Sequence, residues 1–328
     1  MARRLVLSIL VLALATSACT RTTDPTVPDG GPAFAEPREL RASDGTLRVR
    51  LVADETSVTI EGRTFTAFTF DGGLTGPTLR LSNRDRLELE LVNRLDEATN
   101  LHFHGAHVSP NGQSDNSFRQ VEPRTTGRFE VSFAGVTPGT LWYHAHVHGS
   151  VERQISGGLS GVLIVDPAIG VLAPQLGRIT EHVFALKGIT VEGGAAVPGA
   201  EGRPVTQVVN DLRDPVVDLA PGEVQLWRLA NVGPDTWYRL HLDDHRFQVL
   251  IEDGQPVWEV WTADELVLPP GKRFDVLVQA GECRFVRVAN AGVRPRGSGL
   301  PGGDARRRSH RRGPGDVDTH PDHGWPPV

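Results

Sequence analysis

Paired histidines at alternate positions are the residues of this chain whose types and spacing point most directly to chemistry. Six of the twelve histidines fall between residues 102 and 148. His102 and His104 lie two residues apart, as do His144 and His146. Because positions i and i+2 of a strand share one face, each pair can aim two imidazoles in the same direction. Four converging neutral imidazoles suit copper or zinc.

The surrounding sequence predicts the strands that would carry these pairs. Leu87, Leu89 and Leu91 alternate with Glu88 and Glu90, which is the period of a half-buried strand. Asp-Gly and Pro-Gly turn signals separate such runs, and no segment shows sustained helical periodicity. The class predicted is therefore an all-β sandwich or barrel. Similar runs cover 128–133, 162–165, 225–230, 247–251 and 274–279.

Composition excludes several kinds of protein. The chain has 328 residues, a net charge of -6 and a pI near 6.1, which argues against nucleic acid as a partner. Two cysteines exclude a scaffold of several disulfides. The single methionine is Met1, so no site can use a methionine thioether.

A weak internal repeat predicts two copies of one β domain. RDRLELELVN at 84–93 resembles PGEVQLWRLAN at 221–231, and TGRFEVSF at 126–133 resembles GKRFDVLV at 271–278. We place the boundary near residues 166–175. The first domain then covers 45–168 and the second covers 169–290.

Both ends of the sequence differ from this repeat. Residues 1–19 combine an arginine pair with a short apolar run, which indicates an export signal to the periplasm or the outer face of the envelope. Thr-Ser-Ala-Cys resembles a lipobox that would lipidate Cys19; ordinary cleavage nearby is the alternative. Residues 20–44 read as a linker. Residues 291–328 contain 14 Gly or Pro, which predicts a disordered or aberrant, frameshifted tail.

Taken together, the motifs resemble a known family. HFHG, then WYHAH about forty residues later, then GGLSGVLIVD at 157–166, look like the first cupredoxin domain of a multicopper oxidase. Residues 207–279 resemble the second cupredoxin domain of that laccase-like family. The resemblance implies two tandem Greek-key cupredoxin-like domains, and copper as cofactor with O2 as co-substrate.

The family's ligand set can be carried over residue by residue. By resemblance, His102 would bind the type 2 copper of a trinuclear cluster. His104 and His144 would bind one type 3 copper, and His146 the other. Asp115 matches an acidic residue thought to deliver protons to bound oxygen, although SPNGQSDNSF departs from the family's usual Asp-Gly.

The remaining histidines fit simpler interpretations. His107 is odd-spaced from His104 and should face away. His148 shares a face with His146 but matches a position that is usually not a ligand. His241 and His245 should hydrogen-bond locally, and His182 is isolated. His310, His320 and His323 lie in the tail without ligand spacing.

Two elements of the family pattern are missing. The chain has no His-Cys-His motif for a type 1 copper and no second set of four cluster histidines. Cys283 has no adjacent histidine and reads as a strand residue of the second domain. We therefore expect half a cluster, no electron entry and little independent turnover.

Several functions remain open on the sequence alone. The first is a copper oxidase acting on phenols, metal ions or similar small reductants, with a homo-oligomer as one way to complete the cluster. The second is a non-catalytic envelope protein that sequesters copper, and the third is a copper-free scaffold of the same fold. A nitrite reductase would need a type 1 cysteine in the first domain, where none exists. Contact with a membrane is expected only through a lipid at Cys19.

Overall fold

The computed structural model describes residues 31–166, 179–200 and 202–281, and these residues are almost entirely β structure. The predicted all-β class is confirmed. The first half contains β1 (Glu39–Arg41), β2 (Thr46–Ile60), β3 (Arg63–Phe70), β4 (Gly76–Ser82), β5 (Arg86–Asn93), β6 (His102–His104), β7 (Thr126–Ser132), β8 (Gly139–His144), α1 (Val151–Gly157) and β9 (Ser160–Asp166). The second half contains β10 (Thr180–Glu192), β11 (Ala195–Val197), β12 (Thr206–Val209), β13 (Val224–Asn231), β14 (Tyr238–His241), β15 (Phe247–Glu252), β16 (Gln255–Ala263), β17 (Glu265–Leu268) and β18 (Arg273–Gln279).

The leucine alternation forms the strand that the sequence predicts. β5 pairs parallel with β2 and antiparallel with β7, so it lies inside a sheet. Leu87, Leu89 and Leu91 are at most 2% exposed and face the core. The glutamates between them face outward, because successive side chains point to opposite faces.

The internal repeat is present as a repeated topology. β13 pairs parallel with β10 and antiparallel with β18, as β5 does with β2 and β7. Asn93 and Asn231, at the matching strand ends, are both buried. Each side-chain amide donates to backbone carbonyls, three for Asn93 and two for Asn231, and accepts from the N–H two residues later. Both copies therefore close their loops with the same side chain.

The two halves are joined by backbone and by charge. β11 bridges to β3, and the Thr66 N–H donates to Gly194 O at 2.8 Å. The Arg228 guanidinium is 2% exposed and lies 2.8 Å from Asp275 and 3.1 Å from Glu181. Glu181 also pairs with Arg80 of the first half. Buried ions joined in this way tie the halves together, because separating them would leave a charge unpaired.

A second sheet of the first half carries the histidine motifs. Its strand order is β1-β4-β9-β8-β6, so β8 is interior and β6 lies at an edge. All six residues of β8 are buried. Phe103 and Tyr143 enter the core, and the Tyr143 hydroxyl donates to Pro77 O at 2.6 Å. Their neighbours in sequence consequently face the opposite side.

One short helix departs from the expectation of no helix. α1 has seven residues, too few for a periodic pattern to stand out. Its Gln154 is fully buried, donates to Ala98 O at 2.8 Å and accepts from the Thr99 hydroxyl at 3.0 Å. The helix thereby holds the loop that leads into β6.

Part of the predicted linker makes ordered contacts. Ala33 forms a parallel bridge with Val216, and the Phe34 ring packs 4.7 Å from that of Phe184. β1 then joins the second sheet beside β4. The polar composition of this segment predicts a linker, but its Phe34 packs against the second half.

Several expectations concern residues outside the described ranges. These are the export signal, Cys19, Cys283 and the tail from 291 to 328. Within the described ranges, no helix combines the length and the apolar character that crossing a bilayer would require.

Candidate metal centre

Strand pairing brings the two histidine motifs together. β6 and β8 are antiparallel, with His102 opposite His144 and His104 opposite Trp142. The His102 ring centroid lies 5.2 Å from that of His144 and 5.0 Å from that of His146. The His104 and His144 rings are 5.7 Å apart. All four predicted imidazoles therefore share one cluster.

Three of these imidazoles are close enough to share a metal ion. His102, His104 and His144 each offer a ring nitrogen, and these atoms lie within 4.8 Å of one another. The His146 ring lies 5.5 Å from that of His144, beside the group of three. His146 is half-buried, and its Nδ1 is buried without a hydrogen-bond partner.

Hydrogen bonds fix the orientation of two rings. The Nδ1 of His102 lies 2.9 Å from Asp115 Oδ1, which also accepts from the Phe103 N–H at 3.0 Å. The Nδ1 of His144 lies 2.9 Å from Ala145 O. A carboxylate or carbonyl can only accept here, so each Nδ1 carries the proton. The Nε2 atoms are then left with lone pairs that can bind a metal.

The buried Nε2 of His144 tests whether a metal fits. It has no hydrogen-bond partner among the described residues, although His144 is only 3% exposed. A buried polar atom without a partner is costly, and a metal ion would satisfy this nitrogen. The donor set contains imidazoles and no thiolate, a chemistry that copper accepts. The residues present therefore fit copper.

Burial keeps three of the four imidazoles, those of His104, His144 and His146, neutral. Burial lowers the pKa of His104 to about 4, with a further contribution from the positive Arg273. Burial also holds the pKa of His144 well below its usual value and lowers the pKa of His146. Metal binding requires unprotonated nitrogen, so all three are ready to bind at neutral pH.

Three further residues support the cluster and were missed as functional residues. Trp142 stacks on His144 with centroids 4.1 Å apart. Asn100 accepts from the His146 N–H at 2.6 Å and donates to Ser117 O at 2.9 Å. Trp142 lies inside the WYHAH motif and Asn100 lies two residues before HFHG, so their position was a usable signal. Arg273 lies far along the chain, and no local signal connected it with the histidines.

Of the other histidines in the described ranges, only His148 lies beside these four imidazoles. His107 and His148 are exposed, and the His148 ring lies 5.9 Å from that of His146. His241 and His245 hydrogen-bond to the carbonyls of Asp264 and Asp243. A separate pair joins His182 to Glu36 at 2.7 Å.

Paired β strands that present four imidazoles on a repeated Greek-key scaffold define a metal-binding protein of the cupredoxin type. Sequence profiles described as multicopper oxidase match residues 52–169 and 140–291. The chain belongs to the multicopper oxidase family, whose cofactor is copper.

Relatives and solved structures agree with this assignment. The chain is 28% identical over 231 residues to multicopper oxidase mco of Staphylococcus haemolyticus, covering 67% of this chain and 50% of that protein. It is 28% identical over 281 residues to copper resistance protein A of Pseudomonas syringae pv. tomato, covering 69% and 44%. A metallo-oxidase from Campylobacter jejuni superposes with a TM-score of 0.67 at 21% identity, covering 76% and 54%. The chain thus spans about half the length of the curated relatives that it matches.

Proposed function

We propose that this chain is a copper-binding oxidoreductase of the multicopper oxidase type that supplies half of a trinuclear copper site. The observation that carries the proposal is the convergence of four imidazoles, of which His102, His104 and His144 offer nitrogens within 4.8 Å. Bound copper would couple one-electron oxidation of a phenolic or metal-ion reductant to four-electron reduction of O2 to water. The residues of this chain hold, orient and shield that site.

Each histidine has a separate role in the proposal. His102 would bind the type 2 copper, His104 and His144 would bind one type 3 copper, and His146 would bind the other. This division rests on the family resemblance, and the common cluster of the four rings supports it.

Asp115 has two functions in the proposal. It holds the Nδ1 proton of His102 at 2.9 Å, which directs the other ring nitrogen to the metal. Its side chain is 9% exposed and reaches the cluster through that ring. We assign it the transfer of protons toward bound oxygen, a role taken from the family.

Turnover requires ligands that this sequence does not contain. It has no His-Cys-His motif for electron entry. We therefore propose that the other ligands of the cluster are supplied from outside residues 1–328. A half-set of ligands alone would bind copper without the four-electron step.

Copper sequestration is the second candidate function. It is favoured by the same half-set of ligands, because binding needs the imidazoles but no type 1 cysteine. The similarity to a protein named copper resistance protein A also supports it.

Copper content and oxygen uptake separate the two functions. The purified full-length chain would be loaded with copper, analysed for metal, and given a phenolic donor or a reduced metal ion. Two or more coppers per chain, with oxygen uptake by an assembly of several chains, support the oxidase. One weakly bound copper without uptake supports sequestration.

A matched pair of variants ties any bound copper to the proposed site. His104→Gln should lower the copper content, whereas His241→Gln, an exposed histidine of the second half, should leave it unchanged. Absence of copper from the unaltered chain would overturn both functions.

The location of the protein is part of the proposal. Residues 1–19 support export to the periplasm or the outer face of the envelope, with a lipid on Cys19 as the anchor. Replacement Cys19→Ala should move the protein from the membrane fraction to the soluble exported fraction. An unchanged distribution would contradict lipid anchoring while leaving export intact.

A further inference from the structure

A buried cation of the second half lies against the histidine cluster of the first half. Arg273 begins β18, and its side chain is 4% exposed. The family motif assigns it no role. It contacts β8, which carries His144, and the turn at Gly105, which follows His104.

The guanidinium of Arg273 is hydrogen-bonded to β8. Its Nε donates to Thr140 O at 3.2 Å, and its Nη1 donates to Gly271 O at 2.7 Å. The Thr140 hydroxyl donates to Asp275, two residues further along β18. β18 therefore holds Thr140 by both its backbone and its side chain, two residues before Trp142.

The same guanidinium packs on the turn that follows His104. Gly105 has φ +82°, and a Cβ there would lie 2.5 Å from Arg273 Nη2. The turn at Gly271, just before β18, lies on the other side of the His104 ring. A Cβ on Gly271 would lie 3.4 Å from both the His104 ring and the Trp142 ring. The His104 imidazole is thus confined by residues of the second half.

The two carboxylates near Arg273 are each paired with another cation, Asp253 with Lys272 and the buried Asp275 with Arg228. Arg273 Nη1 lies 3.5 Å from Asp253, but that carboxylate is also 2.7 Å from the Lys272 ammonium. A positive charge beside a cation site opposes metal binding by Coulomb repulsion. A guanidinium provides a rigid fork of donors that an ammonium lacks, and Arg273 uses two of these donors on Thr140 O and Gly271 O.

We propose that Arg273 is a positioning residue of the metal centre. Its hydrogen bond to Thr140 of β8 and its contact with the Gly105 turn set the spacing between the His104 and His144 imidazoles. The proposal rests on the proposed copper site. It assigns the second half a direct part in shaping that site.

Copper titration of the full-length chain tests this role, with Arg273→Met, Arg273→Lys and, as a control, Arg239→Met. Arg239 forms an exposed pair with Glu265 in the same half. Arg273→Met should lower Cu(II) affinity about tenfold, the order found for residues that orient ligands, and alter the Cu(II) EPR hyperfine splitting. Arg273→Lys keeps the charge but loses the fork, so it should change both in the same direction. Arg239→Met should match the unaltered chain.

Amide hydrogen exchange of the metal-free protein supplies an independent readout. Loss of the Arg273 contacts with Thr140 and Gly105 should speed amide exchange across residues 140–144 in both Arg273 variants but not in Arg239→Met. Should Arg273→Met fail to fold, Arg273→Lys decides by the same two measurements.

The outcomes distinguish this inference from the proposed function. Normal copper affinity, EPR spectrum and exchange in Arg273→Lys would show that charge or bulk is sufficient, and would overturn the positioning role. If the unaltered chain bound no copper, the proposed function would fall. Amide exchange across residues 140–144 would then still test whether Arg273 holds β8. Unchanged exchange in the Arg273 variants would overturn that part of the inference too.

Discussion

At the scale of single residues, an imidazole can bind a metal through one ring nitrogen only when a suitable contact holds the proton on the other. Asp115 Oδ1 and Ala145 O accept hydrogen bonds from the Nδ1–H groups of His102 and His144, so the Nε2 lone pairs are available. Burial also lowers the pKa of His104, His144 and His146, which keeps those three imidazoles unprotonated at neutral pH. The neighbours, as much as the histidines, make the cluster a metal site.

Replacement of the carboxylate that orients His102 should weaken copper binding. Asp115→Asn keeps the shape but removes the charge that holds the Nδ1 proton, so Cu(II) affinity should fall about tenfold. Competitive titration with a chelator would measure this. Asp96→Asn, at an exposed ion pair, is the control and should bind copper normally. Equal affinities for the two variants would contradict the orienting role.

The lowered pKa of His104 predicts how metal-free stability depends on pH. The pKa is about 4 in the folded protein and about 6.5 in the unfolded chain. Between these values the unfolded chain binds more protons, so stability falls as pH falls from about 6.5 to 4. The loss from this residue would be about 3 kcal/mol.

Urea unfolding of the metal-free protein at pH 7 and pH 4 would measure that loss. His104→Gln cannot titrate and should lose about 3 kcal/mol less than the unaltered chain over this interval. The same pH dependence in both proteins would show that His104 does not cause it.

At the scale of elements, the interior position of β8 and the edge position of β6 decide the site. β8 pairs with β9 on one side and with β6 on the other, which fixes the register of His144 against His102. α1 holds the loop before β6 through Gln154. Strand register and loop position together set the distance between the two motifs.

Removing the polar contacts of Gln154 should destabilise the fold. Gln154→Leu keeps the volume but leaves Ala98 O and the Thr99 hydroxyl buried without this partner, at a cost of about 1–3 kcal/mol. Urea unfolding would measure it. Glu152→Gln, in the exposed first turn of α1, should change stability by less than about 1 kcal/mol. A similar small effect at Gln154 would show that the loop is held by other contacts.

At the scale of the whole molecule, buried ions join the two repeated halves behind the metal site. Arg228 of the second half contacts Asp275 and Glu181, and Glu181 reaches Arg80 of the first half. This network lies beside the contact between β18 and β8. Loss of one of these charged side chains should therefore weaken the contact between the halves more than it weakens either hydrophobic core.

Breaking that network at its centre should be strongly destabilising. Arg228→Met leaves Asp275, which is fully buried, without its cation, and such changes cost about 3–5 kcal/mol. The double variant Arg228→Met with Asp275→Asn removes the stranded charge and should recover part of the loss in urea unfolding. No recovery would mean that packing, rather than the ion pair, stabilises the joint.

The sequence by itself determined the features that depend on neighbours along the chain. Strand alternation at Leu87 and the i, i+2 spacing of His102 and His104 follow from the local geometry of extended backbone. The internal repeat predicted two similar domains, and the resemblance to multicopper oxidases implied copper. These predictions needed no knowledge of which segments meet.

Only the tertiary structure decided which distant groups complete the site. Arg273 lies 169 residues after His104 in sequence, yet its guanidinium packs on the adjoining Gly105. Phe34 packs on the second half although its segment is polar, and α1 is too short to show a period. Contacts between distant segments depend on how sheets pair and pack, and local sequence patterns carry no record of that pairing.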